Sequence, residues 1–219
     1  MRATRACIAG SARSARTKAT LNLQYSAGFP GKHITQLYIY LQKILPVRYF
    51  IIGFKNSGKT TLGQKLARML NLDFIDLDEY IEEKEGRSIP EIYTSVGDET
   101  FRTLEWKSLK ELVKKDNIVV STGGGVPCHC DNMNLMEKYG EVIYLNVTDE
   151  TLVNRLKRAV NDRPIVKGKT EEELRSYIAD LRSRCEHHYK RAKYIVDGEN
   201  LNLPSLLKSM TIPTGSGSS

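Results

Sequence analysis

Residues 53–60 read Gly-Phe-Lys-Asn-Ser-Gly-Lys-Thr, the spacing G-x-x-x-x-G-K-[ST]. Those residue types suit a bound triphosphate. Glycine lets successive backbone N–H groups turn inward around an anion. Lys59 is spaced to reach the β- and γ-phosphates, and the Thr60 hydroxyl to ligate magnesium. A helix opening at Gly58 adds the positive end of its dipole. Gly53, Asn56, Ser57, Gly58, Lys59, Thr60 and the next residue, Thr61, are therefore the expected nucleotide cradle. Such a loop does not by itself separate ATPases, GTPases, switches and kinases. The guanine-reading pattern N-K-x-D does not occur, and 219 residues are too few for a motor or transporter ATPase. What remains is a small-molecule kinase or a nucleotide-binding module without catalysis.

Four other clusters carry chemistry. Asp76-Leu-Asp78 offers two carboxylates, which could equally cap the helix that follows. Phe101-Arg102-Thr-Leu-Glu105 offers a guanidinium suited to a carboxylate ligand, or to a surface pair with Glu105 or Trp106. Gly123-Gly124-Gly125 admits close backbone approach or is a plain turn. Asp162-Arg163-Pro164 follows the basic stretch Arg155–Arg158 and holds either a phosphate-seeking arginine or a solvated one. Cys128-His129-Cys130, with Cys185, His187 and His188, admits a zinc reading. The C-x-C pair lacks the usual knuckle spacing, so separate thiols in a reducing compartment are expected.

The elements that must position these groups alternate. Arg48–Gly53 is a short apolar run closed by glycine, a buried strand. Lys59–Leu70 has helical character and stops at Asn71, which tolerates the left-handed terminus. Asp73–Asp76, Asn117–Ser121, Glu141–Val147 and Tyr194–Asp197 read as further strands. Ser88-Ile-Pro-Glu91 and Thr170-Glu-Glu-Glu173 read as capping boxes. The first lies ahead of a helix with Phe101, Leu104, Leu109, Leu112 and Val113 on one face. The second opens a helix of about five turns toward Tyr189. This β-α alternation predicts an α/β fold with a mostly parallel sheet covered on both faces.

The formal charge of +7 would suggest nucleic acid, but its position removes that reading. Residues 1–48 hold eight Lys or Arg and no acid, leaving 25 basic against 26 acidic residues in the rest. Residues 1–45 form an N-terminal extension that reads as a transit-like leader, a disordered tail or a mis-assigned start. Residues 46–210 form the domain, and 211–219 a linker-like disordered tail. No apolar run approaches membrane-spanning length.

Together the phosphate loop, D-x-D, Gly86-Arg-Ser-Ile-Pro-Glu-Ile92, F-R-x-x-E, the triple glycine and Arg163-Pro164 resemble the shikimate kinase family from about Tyr49 to Asp197. The resemblance implies a P-loop NTPase fold with a central five-stranded parallel sheet, helices on both faces and a mobile lid. It implies transfer of the γ-phosphoryl of ATP to the 3-hydroxyl of shikimate, with Mg²⁺, in aromatic amino-acid biosynthesis. On that footing Asp78 holds the acceptor hydroxyls and acts as, or orients, the base. Asp76 helps fix Mg²⁺ alongside Thr60. Arg102 pairs with the shikimate carboxylate, and Gly123, Gly124 and Gly125 let backbone amides approach the ring. Arg163 approaches the phosphates from the lid, so that Lys59, Asp78 and Arg163 form the catalytic set, and Arg158 packs on adenine. Two departures matter. Asn56 stands where the family commonly has glycine. The second substrate arginine falls between Arg182 and Arg184, of which counting back from Asp197 and Ala192 selects Arg184. Two alternatives stand beside this reading: a P-loop kinase for another hydroxy acid such as gluconate, and a non-catalytic nucleotide-binding regulator. A monomer is expected, in the cytoplasm, or in a plastid if the leader is a transit peptide.

Overall fold

A computed structural model describes residues 47–158 and 170–211. Arg163, the lid around it, the N-terminal extension and residues 212–219 lie outside the described residues. The unit Arg48–Leu201 holds five strands, β1 (Arg48–Ile52), β2 (Asp73–Asp76), β3 (Ile118–Ser121), β4 (Glu141–Asn146) and β5 (Tyr194–Asp197). They form one parallel sheet in the order β2-β3-β1-β4-β5. The strands expected from sequence are all present, shorter by one residue at Gly53, Asn117 and Val147. Asn117 leaves β3 because its φ of 59° turns the backbone left-handed.

Tyr49, Phe50, Ile51 and Ile52 have no exposed surface. Successive strand residues point to opposite faces, so β1 is covered on both sides, as parallel sheets require. The covering helices are α1 (Lys59–Leu70), α2 (Leu77–Glu85), α3 (Ile89–Leu112), α4 (Asn132–Tyr139), α5 (Asp149–Arg158) and α6 (Glu171–Tyr189). Both capping glutamates bind back as expected: Ser88 N–H donates to Glu91 Oε2 at 2.8 Å, and Thr170 N–H to Glu173 Oε2 at 2.7 Å. Asn71 ends α1 at φ 54°. Gly97, with a φ of 75°, kinks α3, so the segment carrying Arg102 restarts at Asp98. Helix α7 (Leu203–Thr211) belongs to a second compact unit and is capped by Asn202, whose Oδ1 accepts from Ser205 N–H at 2.9 Å. Among the described residues no helix is long and apolar enough to cross a membrane.

Sheet register positions the chemistry. Ile51 and Asp76 both pair with Ser121, so β1, β2 and β3 end in one row. The phosphate loop, the D-x-D segment and the triple glycine leave from that row, at the carboxyl edge where parallel sheets bind ligands. The opposite edge is closed by Arg48, which donates from Nε to Lys115 O at 2.6 Å and from Nη1 to Tyr139 O at 3.3 Å.

At that edge Gly140 is wedged against β1: a Cβ there would stand 2.5 Å from Arg48 O and 2.6 Å from Phe50 Cε2. Gly140→Ala is expected to lower stability by about 1–3 kcal/mol through overpacking. Urea midpoints of the two proteins check this.

Candidate active site

The phosphate loop uses its permissive residues where the backbone turns left-handed. Gly53, Asn56 and Gly58 have φ of 142°, 64° and 103°. Asn56 thus adopts the conformation expected of glycine, and a short polar side chain makes that tolerable. A Cβ on Gly53 would sit 2.6 Å from Leu145 O. Arg155 of α5 supports the loop from outside: its Nη1 donates to Asn56 O at 3.3 Å and also to Ser57 O. Sequence reading passed over Arg155 as part of a basic stretch, choosing Arg158, which is exposed at the end of α5. Thr61 is exposed in the first turn of α1.

Inside the loop, Lys59 is buried and its Nζ donates to Phe54 O at 2.7 Å. Ser57 Oγ is buried and has no hydrogen-bond partner among the described residues. A buried orphan hydroxyl is costly, and a phosphate oxygen is the kind of acceptor that would relieve it. Thr60 Oγ1 donates to Asp76 Oδ2 at 2.9 Å, while Asp76 Oδ1 accepts from Asp78 N–H at 3.1 Å. Asp76 therefore does two things at once, capping α2 and aligning Thr60. Two hard oxygen donors side by side fit Mg²⁺, which takes its remaining ligands from phosphates and water. No group of three or more His, Cys, Asp or Glu among the described residues is placed to hold a metal ion.

The triple glycine is where the other motifs meet. A Cβ on Gly123 would stand 3.2 Å from Asp78 Oδ1 and 3.3 Å from Glu105 Oε1. One on Gly124 would stand 3.0 Å from the Lys55 amide nitrogen, and one on Gly125 3.3 Å from Arg102 Nη1. The carboxylates, the phosphate loop and the guanidinium are thus brought within contact of three consecutive residues. Tyr189 of α6 reaches the same loop, its hydroxyl donating to Gly124 O at 2.6 Å from a stack on Tyr144. Burial pushes the Tyr189 phenol up, so it stays a donor at any ordinary pH.

Arg102 is held from two sides of its own helix. Nη1 donates to Glu105 Oε2 at 2.9 Å, Nε to Asp98 Oδ1 at 3.1 Å, and its side chain is 23% exposed. The surface pair weighed against a ligand role is therefore present, and it leaves Arg102 partly accessible. Glu105 was not read from sequence as a site residue, although F-R-x-x-E places it one turn on. It is 2% exposed, and burial pushes its carboxyl up to about 7 against the opposing charge of Arg102. Burial and the Asp76 charge likewise raise Asp78, while Lys59 and Lys55 oppose them.

On α6 the two candidate arginines divide. Arg182 is committed, donating from Nε to Asp149 Oδ1 at 2.7 Å and from Nη2 to Val147 O at 3.0 Å. Arg184 is exposed and pairs with Asp180 at 2.6 Å. One sequence expectation is overturned: Cys128 and Cys185 are not separate thiols but a disulfide, with Cα atoms 5.4 Å apart. Their separation of 57 residues hides the packing of α6 on the 3-10 turn Val126–Cys128 that brings them together.

Glu105 gives a pH signature. Its carboxyl is raised on folding, so its contribution is favourable below the unfolded value near 4.5 and is lost as pH rises through about 7. Relative to Glu105→Gln, the native protein should lose on the order of 1–3 kcal/mol between pH 5 and pH 8. Urea titrations of both proteins at the two pH values check the sign; a constant difference contradicts it.

A family model for shikimate kinase matches residues 55–210. The shikimate kinase of Bacteroides thetaiotaomicron is 43% identical over 155 residues, covering 71% of this chain and 89% of that protein. That of Aquifex aeolicus is 37% identical over 153 residues, covering 70% and 88%. The crystal structure of the Bacteroides thetaiotaomicron shikimate kinase superposes with a TM-score of 0.68 at 41% identity, over 75% of this chain and 94% of that one. The shikimate kinase of Acinetobacter baumannii in complex with shikimate does so with a TM-score of 0.65 at 32% identity, over 73% and 87%.

Proposed function

The chain belongs to the shikimate kinase family, and from that premise we propose that it transfers the γ-phosphoryl group of ATP to the 3-hydroxyl of shikimate. The observation that carries the assignment to this site is the convergence of Asp78, Arg102 and the phosphate loop on Gly123–Gly125.

Phosphoryl transfer asks for placement and charge neutralisation more than for covalent help. The loop amides and Lys59 hold the β- and γ-phosphates; Lys59 must exchange Phe54 O for a phosphate oxygen as ATP binds. Thr60 and Asp76 would hold Mg²⁺, whose charge offsets that of the phosphates. Asp78 faces the phosphates from the end of β2 and binds the acceptor hydroxyl, accepting its proton or orienting it. Its raised carboxyl must be ionised to accept, so turnover should rise with pH through that group. Arg102 receives the shikimate carboxylate and fixes the distance to the reacting hydroxyl, and Arg184 supplies a second cation from α6. Glu105 orients Arg102 rather than touching substrate.

We further propose that the chain acts as a monomer in the cytoplasm.

A coupled assay of ADP release with shikimate tests the function: turnover must exceed the ATP-only blank in folded protein, and its absence overturns the assignment. Asp78→Asn is expected to keep ATP affinity within about threefold while lowering kcat by roughly 10²–10⁴-fold, the range of a lost general base. Loss of ATP binding instead would assign the carboxylate to the nucleotide.

A further inference from the structure

His129 has no part in the mechanism above, yet it stands at the proposed carboxylate end of the site. It follows the turn Val126–Cys128, and a Cβ on Gly125 would lie 3.5 Å from its Cδ2 and 3.6 Å from its Nε2. The same point is 3.3 Å from Arg102 Nη1. An imidazole and a guanidinium, delivered by two different elements, thus close on one spot above a glycine. The charged and titratable groups facing the imidazole are Arg102 and Asp98 from α3, and Arg184 and His188 from α6. One is an anion, two are permanent cations and one is a second histidine, so the surroundings favour an incoming anion.

The segment carrying His129 is also fixed. Its amide donates to Val126 O at 3.4 Å, and its carbonyl accepts from Asn132 N–H at 3.4 Å. Asn132 Nδ2 donates to Val126 O at 2.9 Å. The preceding residue is bonded to Cys185, so the backbone that carries the imidazole is tied to α6. A group held this way contributes orientation at little cost in entropy.

We propose that His129 is a specificity-determining donor for the substrate carboxylate, sharing it with Arg102 and gaining a proton as the acid binds. This rests on the shikimate reading of the site and adds a residue to it. In the free protein, burial and then the Arg102 charge hold the imidazole below its usual value, with Asp98 opposing. It is therefore largely neutral near pH 7. A carboxylate placed between Arg102 and His129 reverses that balance and favours the imidazolium. Affinity is then greatest at low pH and is lost as pH rises through the raised value of the complex.

Calorimetric titration of the full chain with shikimate, in PIPES and in Tris, reads the protons exchanged from the difference in buffer ionisation heat. The native protein is expected to take up roughly half a proton per shikimate near pH 7. His129→Gln should remove most of that uptake, any remainder coming from Glu105, which titrates beside Arg102. The shikimate KM should then rise about tenfold at pH 6 and less at pH 8, with kcat held within about threefold, as for one lost charge-assisted hydrogen bond. His188→Gln should keep the uptake, which separates the two histidines. ADP affinity reports folding, and His129→Asn serves if the first variant fails to fold. Uptake left unchanged in the His129 variant, or a KM that follows the native pH profile, overturns the proposal while shikimate turnover stands. No turnover of shikimate by the native protein overturns both this inference and the function on which it rests.

Discussion

The space over Gly123–Gly125 is the constraint on which the site depends. Asp78 and Glu105 approach the first glycine, the Lys55 amide the second, and Arg102 with His129 the third. The nearest approach at each glycine is 3.0–3.3 Å from where a Cβ would be, so a side chain there would press its neighbour back by a few tenths of an ångström. The two substrates must react across a few ångströms, and the protein meets that requirement by lining up strand ends. Because Asp76, Ile51 and Ser121 lie in one row of the sheet, the three loops that follow cannot avoid one another. The central strands β1, β3 and β4 are buried on both faces over most of their length, and close packing there holds the row in place.

Three of the site's polar groups rest in the free protein on partners that a ligand can replace, while Ser57 Oγ is left open among the described residues. Lys59 rests on a loop carbonyl, Thr60 on Asp76, Arg102 on Glu105 and Asp98. Such partners keep the groups oriented and avoid the cost of an isolated buried charge. They are also weaker partners than phosphate or a substrate carboxylate bound bidentately. The buried carboxyls of Asp78 and Glu105 sit close to the same glycine, and each is raised, in part by a neighbouring negative charge. Bringing a cation or protonating one of the pair relieves that repulsion, so substrate binding and proton occupancy are coupled here.

Local signals carried most of the fold. The five strands, both capping boxes and the Asn71 terminus were legible because each rests on residues within one turn or one strand. The P-loop spacing named its own ligand, and Asn56 took up the left-handed turn that its side chain permits. What stayed hidden depends on packing between distant segments. Nothing near Arg155 in the chain says that it will brace the phosphate loop 98 residues away. Nothing in the Cys128 and Cys185 spacing reveals that α6 lies on the turn after the glycines. The left-handed φ of Gly97, which breaks α3 and restarts it at Asp98 beside the arginine that Asp98 steadies, has no local pattern that announces it.

Helix α6 is tied to the segment around the triple glycine from one side. It reaches the glycine loop twice, through the Tyr189 hydroxyl on Gly124 O and through the Cys128–Cys185 bond, from one face of the helix. Arg182, three residues before Cys185, is drawn to Asp149 and the Val147 carbonyl. Arg184 is adjacent to the bonded cysteine but exposed, and among the described residues its ion-pair partner is Asp180 of its own helix. Exposed pairs of that kind are worth well under about 1 kcal/mol, so exchanging Asp180 for a ligand costs Arg184 little, whereas Arg182 would have to abandon a hydrogen-bonded position between two elements. The helical offset of two residues thus becomes a division of labour, one arginine holding α6 to α5 and the other left able to turn toward an anion.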